Sequence, residues 1–292
     1  MMTKHVSEIE FSKSQLATVL TKNYCIPPLK VINTTSHTHA CFCFITNYGA
    51  GFVEGDAIVL HLTAHPDTHS IIATQGNTRV YKSQEHPCSQ SIEGVVKKNA
   101  FHVFLNDPVV IHKDGSFFQK SKWTLDEGAI LLLVDWFSAG RVQNHEVFNF
   151  VRYQTETKVL VDGHPVIWDR FHIDPLHEDV TSPGGFHAHT SYMNIFLIGR
   201  QHDPRVQLIE DHLNKIHRKY TSPGNLNGRA EMPVVGSFAR QNKNACFSRY
   251  ASHDVIYLHR VLADLVQILD HKILLGFNPL RNRYNTYCNQ GS

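Results

Sequence analysis

The sequence predicts a mainly β protein: many short strands in stacked sheets, similar to a β-helix, with two helices near the C-terminus. Two observations support this prediction. Short runs of alternating apolar and polar residues recur through the first 175 residues, and such alternation places every second side chain on one face of a strand. Helical periodicity, in contrast, begins only after residue 200. Strands followed by a few helices indicate a β-rich layered domain.

The stretch Tyr48–Ser83 shows the pattern most clearly. It opens with a glycine-rich turn and continues as an alternating strand from Asp56 to Leu62. A Pro-Asp turn at 66–67 ends this strand, and a second strand follows at Ser70–Thr74. Asp56 begins one apolar face and Thr74 ends another, so polar side chains are expected at the ends of these strands.

Other segments show the same alternation. They predict strands at His5–Phe11, Leu29–Ile32, Ala40–Tyr48, Phe101–Leu105, Val109–His112, Phe117–Trp123, Ala129–Phe137, His145–Tyr153, Lys158–Val161 and Pro165–Ile173. The last two are joined by an Asp162-Gly163 hairpin turn. Residues 84–100 are interpreted as a polar connection.

Two apolar stripes with helical spacing follow. The first predicts a helix at about 204–219, with Asp203 as N-cap and proline at the first helical position. The second predicts a helix at about 254–275, ended by Gly276. One or two strands are expected between the two helices. No internal repeat is found, so residues 1–292 are interpreted as a single domain.

Composition excludes several classes of protein. The chain is 42% hydrophobic and 18% charged with a net charge of +2, which is typical of a globular protein. It has no basic run long enough for a nucleic-acid footprint, and its longest apolar run, Ala129–Val134, is too short to cross a bilayer. The N-terminus shows no secretory signal. The six cysteines form no Cys-x-x-Cys motif, so a cytoplasmic location is expected.

Three carboxylates fall on predicted strand faces that are otherwise apolar: Asp56, Asp135 and Glu146. Burying an unpaired carboxylate is costly. These residues are therefore expected either to reach the sheet edge, to pair with a base such as Arg141 or Arg152, or to line a wet interior. In the last case they would attract a divalent cation without holding it tightly, because isolated oxygen ligands make weak sites for late transition metals.

Cysteine and histidine offer two further candidate sites. Cys41 and Cys43 share a strand face, where they either bind a soft metal or serve as small buried hydrophobes. His187 and His189 share a face if they lie on a strand, and with an acid they would form the iron or zinc site of an oxygenase or hydrolase. No nucleophile elbow, His-Glu-x-x-His, Walker loop or dinucleotide fingerprint is present, so the sequence predicts a protein that is not an enzyme.

Several blocks of sequence resemble the urease accessory protein UreD family, called UreH in some bacteria. The blocks are Gly51-x-x-x-Gly55-Asp56, Thr74-Gln75-Gly-Asn-Thr-Arg-Val-Tyr81-Lys82, Ala139-Gly140-Arg141 followed by Glu146-x-Phe148, and Asp162-Gly163-x-Pro followed by Asp169-Arg170. Their order and spacing match those of the family, and together they cover about residues 28–175.

The resemblance implies a non-enzymatic maturation factor with a mainly β fold. It implies assembly with a UreF-type accessory protein and a UreG-type GTPase, docking on urease apoprotein, and transient passage of Ni²⁺ through an internal water-filled tunnel without a tightly bound cofactor. The family's functional carboxylates resemble Asp56 and Glu146, with Asp107 as a looser match. Asp135 joins them as a candidate on its position alone. His61, His65 and His69, near the first block, are expected at the surface.

Overall fold

The computed structural model describes residues 6–34, 38–222 and 233–281. The strands in this part of the chain form two sheets. The first, sheet A, has the strand order β14-β13-β11-β8-β5-β1-β2. Its strands are Ser7–Ser14 (β1), Ala17–Tyr24 (β2), Ala57–Ala64 (β5), Cys88–Val96 (β8), Ser116–Leu125 (β11), Arg152–Val161 (β13) and His164–Ile173 (β14).

The second, sheet B, has the main order β16-β17-β15-β12-β9-β6-β4-β3, with β7 and β10 joined to one side. Its strands are Leu29–Thr34 (β3), Cys41–Asn47 (β4), His69–Thr74 (β6), Thr78–Val80 (β7), Phe101–Leu105 (β9), Val109–Ile111 (β10), Ile130–Ser138 (β12), Ser191–Ile198 (β15), Val234–Asn242 (β16) and Ala245–Ser252 (β17).

Between β4 and β13 the chain passes repeatedly from one sheet to the other. The neighbouring strands β4, β6, β9 and β12 of sheet B are parallel, and so are β5, β8, β11 and β13 of sheet A. Each passage therefore adds a rung to a two-sheet solenoid, which confirms the predicted mainly β, β-helix-like fold. Antiparallel hairpins extend the sheets, such as β13–β14 at Asp162-Gly163, where both residues have positive φ as the predicted turn requires.

Two helices cover the outer face of sheet B. Helix α1 spans Pro204–Thr221 and is capped by the side chain of Asp203, as predicted. Helix α2 spans Val255–Gln267 and continues as a short 3₁₀ turn, Ile268–Asp270. The predicted end at residue 275 is wrong, because the next residues form tight turns in which the amides of Leu275 and Gly276 both donate to the carbonyl of Leu269.

The core has two layers. One apolar cluster fills the space between the sheets, and the other packs α1 and α2 against sheet B. Burial of these apolar side chains is the main source of stability. Among the described residues, no helix is long and apolar enough to span a bilayer.

The interpretation of residues 84–100 as a polar connection is wrong, since β8 occupies the middle of sheet A. Its inward positions include Gln90 and Gly94, which obscure the apolar alternation. Gly94 is required by packing: a Cβ at this position would lie 2.0 Å from Cε3 of Trp123 on the adjacent strand. The predicted strand at His145–Tyr153 is also wrong over most of its length, because β13 begins only at Arg152 and Phe148 has a φ of 53°.

Candidate functional site

A cavity of about 350 Å³ lies at one edge of sheet B. The strands β4, β6 and β9 are parallel, so their carboxyl ends meet at the same edge. The residues at these ends and directly after them line the cavity, among them Asn47, Thr74, Gln75, Asn106 and Asp107. The site thus includes Thr74 and Gln75 of the family-like block, together with the candidate Asp107.

The loop beside this cavity is held close to β7. Gly51 has a φ of 151°, and a Cβ there would lie 2.4 Å from the carbonyl oxygen of Arg79. The neighbouring Phe52 donates its amide to the same carbonyl at 2.8 Å and accepts from the amide of Tyr81 at 2.9 Å. Only glycine allows the loop to approach the strand this closely.

Thr74 and Asp107 form a reciprocal contact on the cavity wall. The hydroxyl of Thr74 donates to Oδ2 of Asp107 at 2.7 Å, and the backbone amide of Asp107 donates to that hydroxyl at 2.6 Å. Asp107 is only 2% exposed. This contact joins the ends of β6 and β9 and fixes a carboxylate in the wall of the cavity.

From this cavity a layer of polar side chains continues between the two sheets. Gln90, Gln119 and Thr155 lie side by side on sheet A, and Asp135, Asn194 and Arg249 lie side by side on sheet B. Asp169 of β14 completes the layer. These seven residues are called the polar belt. The inward positions of the strands on both sides of the belt are filled mainly by apolar residues of the inter-sheet core.

Asp135 is the central charge of the polar belt and is 5% exposed. Burial raises the pKa of its carboxyl group to about 6, although hydrogen bonds from Gln119 and Asn106 oppose this shift. Nε2 of Gln119 lies 3.1 Å from each carboxylate oxygen. Because Gln119 and Asn106 also line the cavity, Asp135 lies directly behind the cavity wall.

The other end of the polar belt reaches the surface. Arg249 forms an ion pair with Asp169, which links the two sheets, and its side chain is 39% exposed. Among protein atoms of the described residues, Oδ1 of Asn194 and Nε of Arg249 have no hydrogen-bond partner although both are buried. Buried polar atoms of this kind usually bind ordered water. The belt is therefore suited to hold water across the interior of the protein.

A second, larger cavity of about 750 Å³ lies next to the first. Its wall includes the start of α2. It also includes Tyr81, Gly140 and Arg141, which belong to two of the family-like blocks. Gly140 has a φ of 108°, and a Cβ there would lie 2.4 Å from the carbonyl oxygen of Glu146. The loop 140–146 is thus folded tightly back on itself beside this cavity.

The two carboxylates emphasised by the resemblance lie outside both cavities. Glu146 belongs to a loop and forms a two-contact ion pair with Arg141, which lowers the pKa of its carboxyl group. Asp56 precedes β5, is partly exposed, and accepts a hydrogen bond from the amide of Val53 at 2.8 Å. The expected position on an apolar strand face is wrong for Glu146, whereas Asp56 lies directly before the first residue of β5, at the strand end expected for it. For Glu146, the structure shows the alternative of pairing with Arg141.

The remaining residues of the family-like blocks make local contacts. Lys82 forms an ion pair with Asp114 at 3.7 Å, and Arg170 forms one with Glu156 at 2.7 Å. Gly55 lies in the turn before β5. Gly163 lies in the exposed β13–β14 turn.

The structure does not support the other candidate metal sites. His187 and His189 lie in a turn before β15, His187 is exposed, and Nδ1 of His189 is paired with the carbonyl of Phe186. The expectation that they share a strand face is wrong. Cys41 and Cys43 are buried in the inter-sheet core. Within the described ranges, no three histidine, cysteine or acidic side chains converge closely enough to hold a metal ion.

Sequence reasoning missed the amides and the arginine of the polar belt. The sequence places Gln90 in the predicted polar connection, and Gln119 is an ordinary polar residue of a predicted strand. A usable signal exists: Gln119 and Asp135 both fall at positions whose neighbours two residues away are apolar or small, Phe117 and Ser121 for the first, Leu133 and Phe137 for the second. Only the packing of sheet A against sheet B brings them together.

Comparisons with known proteins identify the family of this chain. The model of the UreD urease accessory protein family matches residues 5–285. Urease accessory protein UreD of Cytophaga hutchinsonii is 37% identical over 278 residues, covering 95% of this chain and 97% of that protein. Urease accessory protein D of Arabidopsis thaliana is 34% identical over 134 residues, covering 45% of this chain and 46% of that protein. The chain therefore belongs to the UreD family of urease accessory proteins.

Proposed function

We propose that this protein is a urease maturation factor without catalytic activity of its own. In this proposal it acts in the cytoplasm with a UreF-type protein and a UreG-type GTPase, docks on urease apoprotein, and passes Ni²⁺ along the polar belt. Family membership supports the link with urease. The observation that carries the conduit is the buried carboxylate of Asp135, which lies directly behind a cavity lined by Asp107.

The ligand chemistry of the polar belt favours transfer of a metal ion over its tight binding. Its donors are carboxylate, amide and hydroxyl oxygens, which bind late transition metals weakly compared with imidazole or thiolate. With a pKa of about 6, Asp135 is mostly ionised at pH 7 and attracts a cation. Its one cationic neighbour in the belt, Arg249, is neutralised by Asp169. A hydrated ion would thus be drawn inward without being held by three strong ligands.

In this proposal the order along the path is Asp107 at the cavity wall, then Asp135, then the Asp169–Arg249 pair at the far surface. Asp56 and Glu146 are assigned a supporting role. Glu146 holds the loop 140–146 through Arg141, and Asp56 holds the turn before β5. Both loops flank the region where the cavities open. Loss of either carboxylate would therefore act on nickel transfer by changing the position of its loop.

The experiment is urease activation in a reconstituted assay containing the UreF-type and UreG-type partners, urease apoprotein and Ni²⁺. Asp107→Asn and Asp135→Asn are compared with Asp211→Asn, a control at an exposed position of α1. We expect the first two variants to bind the UreF-type partner normally and to lower activation at least several-fold, and the control to behave as wild type. Full activation by the double variant Asp107→Asn/Asp135→Asn would exclude the conduit.

A further inference from the structure

A separate group of ligand atoms lies at the amino end of β6, the opposite end of this strand from Thr74. Nε2 of His39 is 3.2 Å from Nδ1 of His69. The carbonyl oxygen of Leu274 lies 2.9 Å from the first nitrogen and 2.5 Å from the second. Two imidazole nitrogens and one carbonyl oxygen therefore converge from three distant parts of the chain. None of these residues belongs to the polar belt or lines either cavity.

The separation of the two ring nitrogens matches one edge of a tetrahedral metal site. Imidazole nitrogens bind zinc at about 2.0–2.1 Å, so two of them in a tetrahedron are separated by about 3.3 Å. The observed separation of 3.2 Å agrees with this value. The Leu274 oxygen lies 2.9 Å and 2.5 Å from these nitrogens, closer than a tetrahedral edge, so this carbonyl would have to move outward by less than about 1 Å for one ion to contact all three atoms. A single water would complete four-coordination, as in zinc sites that have three protein ligands.

The two rings are also prepared for binding. The rings of His39 and His69 meet edge to face with centroids 4.6 Å apart, and His69 also packs against Phe101. The hydroxyl of Thr38 donates to the carbonyl of Leu275 at 3.0 Å, which fixes the segment that presents the Leu274 carbonyl.

We propose that His39 Nε2, His69 Nδ1 and the Leu274 carbonyl oxygen bind one divalent ion of the late first-row transition metals, such as Zn²⁺ or Co²⁺. Imidazole is the preferred protein ligand for this class of ion. With two nitrogen donors, the site holds its ion more tightly than the oxygen-lined belt. The bound ion joins the chain before β4, the start of β6 and the turns after α2, so binding also stabilises the fold by mass action.

The test is titration of the full chain with Co²⁺, followed by the visible absorption bands that distinguish four-coordinate from hydrated cobalt. We expect one strong binding event per chain, and a rise in Tm on adding Zn²⁺. His39→Ala and His69→Ala should abolish the absorption bands, whereas His164→Ala, at the exposed start of β14, should keep them. Asp135→Asn should keep them too, which separates this site from the proposed nickel path.

A measurement on the unaltered chain covers the case in which the histidine variants do not fold. Nitrogen-15 NMR of the histidine rings should show Nε2 of His39 and Nδ1 of His69 shifting together on addition of one equivalent of Zn²⁺. The competing arrangement has both rings donating N–H to the Leu274 carbonyl without metal. In that case one equivalent of Zn²⁺ leaves both ring nitrogens unchanged and Co²⁺ gives no four-coordinate spectrum, and either result overturns the proposal.

Discussion

The side-chain amide nitrogen of Gln119 lies 3.1 Å from both carboxylate oxygens of Asp135 and so joins the two sheets through the middle of the core. Gln119 belongs to β11 of sheet A and Asp135 to β12 of sheet B. The core on both sides of this contact is apolar, so the protein keeps a buried charge in its interior. Burial of the Asp135 carboxylate therefore costs stability, and the hydrogen bond from Gln119 offsets part of that cost.

The cost appears in the pH dependence of stability. The carboxyl pKa of Asp135 is raised from 3.8 to about 6 on folding, so folding favours its protonated form. Stability from this group is fully present below pH 3.8 and is lost as the pH rises to about 6. We predict that Asp135→Asn stabilises the protein at pH 7 by on the order of 1–3 kcal/mol and has little effect at pH 4. Urea denaturation at both pH values measures this difference, and an equal effect at both would contradict it.

The Gln119–Asp135 contact should show strong energetic coupling. Gln119→Leu leaves the buried carboxylate without its main hydrogen-bond donor, which should destabilise the protein by about 1–3 kcal/mol. The double variant Gln119→Leu/Asp135→Leu removes both polar groups and should be more stable than Gln119→Leu alone. A double-mutant cycle of unfolding free energies gives the coupling. Additive effects would show that the contact is energetically unimportant.

A substitution at Gly94 tests the close packing of β8, the strand whose apolar alternation is obscured in the sequence. Gly94→Ala places a methyl group 2.0 Å from the ring of Trp123, which is fully buried and cannot move away freely. We expect a loss of stability of about 1–3 kcal/mol or more. Gly184→Ala is the matched control, because its Cβ would meet no atom within 4 Å. Thermal unfolding of the two variants should differ clearly, and equal Tm values would contradict the packing argument.

The pair Arg141–Glu146 distinguishes a supporting role from a nickel ligand. If Glu146 acts by holding the loop 140–146 through Arg141, then Arg141→Gln and Glu146→Gln should change urease activation to the same extent. The partly exposed pair should contribute little to stability because solvent screens it, so both variants should stay folded. Activation assays on both variants give the comparison. A loss confined to Glu146→Gln would identify the carboxylate itself as the functional group.

Particular residues show how much of the structure can be predicted from the sequence. The alternation from Ala57 to Ala64 and the stripe of α1 were found correctly because each element buries one face against the core at its own period. Glu146 was misplaced because an apolar spacing of two also occurs in the loop containing Phe148 and Phe150. A positive φ at Phe148 breaks the strand, and the amide of Phe148 donates instead to the carbonyl of Ala139 at 2.7 Å.

The mainly β class, the hairpin at Asp162-Gly163, the two late helices and the family could be predicted from the sequence, because local periodicity, turn chemistry and motif order are properties of neighbouring residues. Which polar side chains meet depends on the folded structure. Gln119 lies in sheet A, whereas Asp135 and Arg249 lie in sheet B, so strand register aligns residues within each sheet and only the packing of the two sheets brings these three into one layer. The same holds for His39, His69 and Leu274, since two imidazole rings and a backbone carbonyl from separate segments converge only after the two sheets and the turns after α2 have packed.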